Sequence, residues 1–146
     1  MSIRIHLFSF GHSFGVPKNV DLIYSVRHFP ETNIENYQQY DGRQSRIQKE
    51  LLHLTEYKDL IQTIIEQVKT YIQEHNQTSI EVAVGCERGR HRSVAVVERL
   101  AELLGESYSI EIDHRDLKRT GHDKNKQKQR MKNRDEKYQT YDDDAD

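Results

Sequence analysis

An α/β fold is predicted for this chain: a layered sheet of about four mostly parallel strands with flanking helices, a phosphate-binding loop after the third strand, and a charged C-terminal tail. Three observations predict it. Short apolar runs of strand length alternate with longer stretches at helical period, the order expected of βαβ units with parallel strands. Each apolar run ends in a polar cluster rich in glycine, histidine or arginine. One of those clusters, Cys86–Ser93, leads from the third run directly into a helical pattern.

The elements follow in order. Ile3, Ile5 and Leu7 alternate with Arg4 and His6 and lead into Phe8-Ser9-Phe10, a first strand. Gly11-His12-Ser13-Phe14-Gly15-Val16-Pro17 carries two glycines and a proline in seven residues, which marks a shaped loop at that strand's carboxyl end. Leu22–Val26 reads as a second strand, landing on Arg27-His28-Phe29-Pro30. Residues 31–43 are polar and read as a loop, with Asp41-Gly42 as a turn signal. Ile47, Leu51 and Leu54 space as one face of a short helix. Tyr57, Leu60, Ile61, Ile64, Ile65, Val68, Tyr71 and Ile72 give an unbroken stripe at helical period, which is core. Asn76-Gln77-Thr78 ends it, and Ile80–Val84 forms the third strand. Val94, Val97, Ala101 and Leu104 make a helix that stops at Gly105 as its C-cap. Tyr108, Ile110 and Ile112 make a fourth strand ending at Asp113-His114-Arg115. From Thr120 onward apolar residues nearly vanish, so the division expected is a domain over 1–119 and a tail, disordered or a solvated helix, over 120–146.

A chain of 146 residues is long enough for a single domain with a real core. With 34% hydrophobic and 32% charged residues it reads as soluble and rather polar. No apolar run approaches membrane length, and Met-Ser-Ile-Arg-Ile-His lacks a signal-peptide pattern. A lone cysteine forms no internal disulfide, so a cytoplasmic location without a membrane partner is expected. The net charge of −2 hides an asymmetry: residues 115–137 carry ten Lys/Arg against four Asp/Glu, and residues 138–146 carry four Asp. Such a tail meets a polyanion, folds back on itself, or is simply solvated.

The chemistry concentrates in Val84-Gly85-Cys86-Glu87-Arg88-Gly89-Arg90-His91-Arg92-Ser93. A strand, a tight polar turn and a helix start direct backbone N–H groups and the helix's positive end at one spot, a site for an anion. Arg88, Arg90 and Arg92 add cationic charge, and a guanidinium holds a pair of phosphate oxygens as a fork. In parallel sheets ligands bind beyond the strands' carboxyl ends, so Gly11, His12, Arg27, His28, His114 and Arg115 are expected to line the same pocket. His91 and His114 are expected to have site roles. No histidine or cysteine pair has metal-ligand spacing, and no metal or cofactor is expected. Cys86-x5-Arg92-Ser93 also spells the loop pattern of protein tyrosine phosphatases, in which a thiolate attacks phosphorus. Gly85 stands where such phosphatases usually carry histidine, and the leaving-group acid would have to be Asp41, Asp113 or Asp116. Cys86 is therefore either a nucleophile assisted by Arg92 or a small residue fitted to a crowded loop.

The longer pattern, Val84-Gly85-Cys86-x-x-Gly89-x-His91-Arg92-Ser93-Val94, resembles the Gly-Cys-x-Gly-Gly-x-His-Arg-Ser-Val signature in the C-terminal domain of the RapZ/YvcJ family of RNase adapter proteins. Three further stretches are similar in the same order: Ser9-Phe10-Gly11 with Gly15-Val16-Pro17, Asp21 with Val26-Arg27-x-x-Pro30, and His114-Arg115-Asp116-Leu117 followed by Lys118-Arg119. The resemblance implies a stand-alone binding domain with a regulatory or adapter role, which recognises a phosphorylated, amino-sugar-like metabolite, RNA phosphate, or both, and works as a homo-oligomer. It implies a ligand pocket of Cys86, Glu87, Arg88, Gly89 and Arg92, with Phe14 where relatives carry His or Tyr. Arg88 replaces one signature glycine, and Ser25 stands where the family has Asp. Full-length members carry a Walker loop; this chain has no Gly-x-x-x-x-Gly-Lys-Ser/Thr, so ATP or GTP binding by that route is not implied. For RNA, Arg115, Lys118, Arg119 and Lys124 lead a row of basic residues able to neutralise phosphates, and Tyr138 and Tyr141 could stack on bases. The alternative to the binding module is a cysteine-dependent phosphatase or phosphotransferase.

Overall fold

The computed structural model describes residues 3–31 and 39–117. It forms strands β1 (Arg4–Gly11), β2 (Leu22–Ser25), β3 (Ser79–Cys86) and β4 (Ser109–His114), and helices α1 (Ser45–Leu52), α2 (Thr55–His75) and α3 (Arg92–Leu104), with a 3-10 turn at His12–Phe14. All strand pairs are parallel and the order is β2-β3-β1-β4. The alternation of side chains along a strand then assigns the faces. Ile5 and Leu7 lie opposite Ile80 and Val82, and these join Val84 and Cys86 in one core with Ile64, Val68, Val97 and Leu100 of the helices. On the other face Phe8, Phe10 and Ala83 form a second cluster, packed against Val20 of the β1–β2 connection.

Element ends moved for identifiable reasons. β3 runs on to Cys86, because Gly11 pairs with Cys86 at the end of the ladder with β1. Leu54 does not belong to the first helix. Its backbone is extended (φ −73°, ψ 142°) and it caps the start of α2. Asn76 ends α2 in the left-handed conformation (φ 49°, ψ 39°), which its short polar side chain tolerates. Gly105 ends α3 but is right-handed (φ −64°, ψ −15°), so glycine is not required there for a left-handed cap. The chain leaves instead through a further turn, with the N–H groups of Ser107 and Tyr108 both donating to the Leu104 carbonyl.

Among the described residues, no helix is long and apolar enough to cross a membrane and no group of three or more His, Cys, Asp or Glu could hold a metal ion. The expectations for Lys118, Arg119, Lys124 and the tail lie outside the described residues.

Candidate functional site

Parallel pairing brings the carboxyl ends of all four strands to one edge. Gly11 pairs with Cys86, Ser25 with Gly85, and Ser9 with His114, so the polar clusters after β1, β2, β3 and β4 become neighbours. The 87–91 loop folds down onto the end of β1. A Cβ on Gly11 would lie 2.3 Å from the Arg88 carbonyl carbon, and one on Gly89, at φ 72°, would lie 2.6 Å from the Gly11 nitrogen. Glycine is needed at both positions for the loop to sit there. The Ser13 N–H donates to the Glu87 carbonyl at 2.9 Å and the Gly42 N–H to the Arg90 carbonyl at 2.9 Å, pinning the loop from two sides. α3 starts at Arg92 with no side-chain cap from the buried His91, and its positive end points out of the same turn.

Cys86 is fully buried. Its Sγ receives the Gly89 N–H at 3.2 Å and lies 3.1 Å from Ser93 Oγ. Arg92 is also enclosed, its side chain only 6% exposed. Its Nη1 donates to the carbonyls of Arg27 (2.7 Å) and Phe29 (3.2 Å), and its Nη2 pairs with Glu31 at 3.0 Å. The guanidinium therefore faces the turn after β2, so these donors already have acceptors within the protein. Arg27 in turn pairs with Glu87 at 2.7 Å, closing a belt between that turn and the loop.

His12 reaches across the end of β3, with Nε2 3.0 Å from Ser25 Oγ. Its pKa is lowered by burial and then by the Arg27 charge, with Glu87 partly opposing and His28 adding a smaller push in the same direction. The neighbouring Ser13 hydroxyl is buried and has no hydrogen-bond partner among the described residues. Phe14 is fully buried, so it supports the glycine loop from within and gives the mouth no ring edge.

Behind the loop, His114 bridges two elements. Its Nδ1 lies 2.7 Å from Ser9 Oγ on β1 and its Nε2 2.7 Å from Glu98 on α3. Arg115 holds the glycine loop: its guanidinium donates to the Gly15 carbonyl and to Asp116 and lies over the Phe10 ring. Asp116, fully buried, accepts the Gly11 N–H at 2.8 Å. The side chain expected to contact RNA at 115 is thus built into the loop's support.

The three aspartates weighed as leaving-group acids are placed otherwise. Asp116 is committed to Gly11 and Arg115. Asp113 pairs in register with Phe8, on the face of the sheet opposite Cys86. Asp41 is buried, which alone would raise its pKa, but hydrogen bonds from the Arg43 side chain and backbone outweigh this and lower it. Sequence reasoning missed Glu31, Glu98 and Ser9 as partners of the site. It read Asp41-Gly42 as a turn, but nothing local in the sequence says that the turn docks on Arg90.

Residues 3–118 match the family model described as the RapZ C-terminal domain. A nucleotide-binding protein of Thermosipho africanus is 31% identical over 119 residues, covering 78% of this chain and 42% of that protein. A nucleotide-binding protein of Caldanaerobacter subterraneus subsp. tengcongensis is 30% identical over 120 residues, covering 79% and 42%. One from Lacticaseibacillus casei is 29% identical over 126 residues, covering 81% and 41%. The chain thus spans about two fifths of the length of the curated relatives it matches.

Proposed function

The chain belongs to the RapZ C-terminal domain family, and from that premise we propose that it is a binding domain for a phosphorylated small molecule, held by the Cys86–Ser93 loop. The observation that carries this reading is the close packing of Gly11 against Arg88 and Gly89 at the foot of α3. It brings a tight turn and a helix's positive end to the shared edge of four strands, the arrangement that suits a phosphoryl group. The printed name of the relatives, nucleotide-binding protein, belongs to chains of which the match covers only 42%. For this chain the phosphoryl group is the shared element, and a nucleotide is one member of the class. The finer reading, an amino-sugar-phosphate-like ligand and a regulatory adapter role in a homo-oligomer, follows from the resemblance of the four motifs. RNA phosphate is the same chemistry on a larger partner. It ranks second because Arg115, the one described residue among its candidates, donates to the Gly15 carbonyl.

The test is thermal unfolding in sodium phosphate against sodium chloride at matched ionic strength. Ligand at a hundredfold excess over its dissociation constant adds about 2.7 kcal/mol. An unchanged unfolding curve counts against the proposal.

The cysteine-nucleophile reading has one observation in its favour, the Gly89 N–H and Ser93 hydroxyl at Sγ, contacts that suit a thiolate. The burial of Cys86 and the engagement of Arg92 by the 27–31 turn favour binding over turnover. Hydrolysis of an aryl phosphate by the native chain, lost in Cys86→Ser, would reverse that order.

A further inference from the structure

We propose that His12 and Ser25 form a proton-coupled subsite of this pocket, where His12 takes up a proton as a doubly charged phosphate or sulfate group binds. The inference rests on the phosphate-binding reading and adds to it a preference for dianions over singly charged carboxylates.

The geometry comes from the sheet order. β3 lies between β1 and β2, and the pairings Gly11 with Cys86 and Ser25 with Gly85 set residues 12 and 25 on either side of its end. The bridge from His12 Nε2 to Ser25 Oγ, 3.0 Å long, spans that end beside Glu87. Gly85 is glycine because the Phe10 ring covers it: a Cβ there would lie 2.3 Å from that ring. The Phe10 ring meets the imidazole edge-on, with centroids 5.0 Å apart. The next residue, Ser13, is only 3% exposed, and its hydroxyl has no hydrogen-bond partner among the described residues.

The charges facing His12 are Arg27 and His28 from the turn after β2 and Glu87 from the loop after β3. Arg27 and Glu87 neutralise one another at 2.7 Å, and among the described residues no other carboxylate acts on His12. Burial and Arg27 favour the neutral ring, in agreement with that arrangement. A dianion at the adjoining loop reverses the balance, because two negative charges arrive where desolvation strengthens their pull. Ser25 keeps the bridge in both states: its hydroxyl donates to a neutral Nε2 and accepts from a protonated one.

Sulfate is the cleaner probe, since its charge is constant from pH 5.5 to 8. Calorimetric titration of the full chain with sodium sulfate near neutrality, in two buffers of unlike ionisation heat, is expected to show uptake approaching one proton. The affinity is expected to fall by up to about tenfold per pH unit between the His12 pKa of the free chain and the higher one of the complex, and to level off above the latter. His12→Gln should bind sulfate with uptake near zero and a flat pH profile. Independently of any variant, the His12 ring resonances of the native chain should move toward the protonated position when sulfate is added. Sulfate binding with equal uptake in the native chain and His12→Gln, or with unmoved ring resonances, overturns the subsite and leaves the phosphate site standing. No binding of sulfate or phosphate to the native chain removes both.

Discussion

The Arg92 guanidinium ties α3 to the turn after β2 through two carbonyls and Glu31. A lysine keeps the charge but has one nitrogen in place of the Nη1 that serves both carbonyls and the Nη2 that holds Glu31. Arg92→Lys is therefore expected to cost about 1–3 kcal/mol in a urea titration, because buried acceptors are left without their donor. Phosphate stabilisation should weaken in parallel, since the wall of the pocket loosens. Asp41 supplies a second test at this scale. It is buried and accepts from the Arg43 backbone N–H, Nε and Nη2 at 2.8, 3.0 and 2.9 Å. Its pKa is lowered in the folded state, so its contribution is fully present above the ordinary value of 3.8 and is lost as pH falls through the lowered folded value. Asp41→Asn should destabilise the chain by about 1–3 kcal/mol at pH 7. The difference from the native chain should shrink below pH 3.8; a gap that stayed constant down to pH 2 would contradict the assignment.

Among elements, the contact between the end of β1 and the 87–91 loop fixes the site. A methyl group on Gly11 meets Arg88 backbone atoms at 2.3, 2.5 and 2.7 Å, and backbone, unlike the tip of a flexible side chain, cannot swing aside. Gly11→Ala is expected to cost about 1–3 kcal/mol by overpacking and to weaken phosphate binding by more than the change in stability explains. Calorimetry of the folded variant separates the two effects. Normal phosphate affinity in a folded Gly11→Ala protein would mean that the loop's seat on β1 is not what shapes the pocket. His114 acts between elements as well, joining the end of β4 to β1 through Ser9 and to α3 through Glu98. That accounts for a histidine at the strand end without placing its ring against the ligand.

Across the described residues, the three helices share one core with one face of the sheet, while the β1–β2 connection packs on the other through Val20. Phe10 is the pivot of that second layer: fully buried, beneath Arg115, and against the position where Gly85 lacks a side chain. Phe10→Ala should cost about 3–5 kcal/mol by opening a cavity. It should also release Arg115 and the glycine loop, so phosphate stabilisation is lost together with the stability. Phe8, at the rim of the same cluster and 9% exposed, gives the comparison: Phe8→Ala should destabilise while sparing phosphate binding.

The sequence by itself determined the α/β class, the order of strands and helices, the core stripe of α2 and the polar, arginine-rich turn after β3. Each of these is local, resting on side-chain period, on turn residues and on the composition of a single loop. Four motifs in one order also carried the family. Only the tertiary structure decided what those polar residues touch. Arg92 and Arg115 read in sequence as cations aimed at a ligand, yet both donate to backbone carbonyls brought from distant positions, residues 27 and 29 for one and residue 15 for the other. Likewise Ser25 meets His12 only because β3, which comes later in the chain, is inserted between β1 and β2. Strand order depends on which crossovers bury the most apolar surface on both faces at once, a property of the assembled sheet that no single stretch of sequence carries.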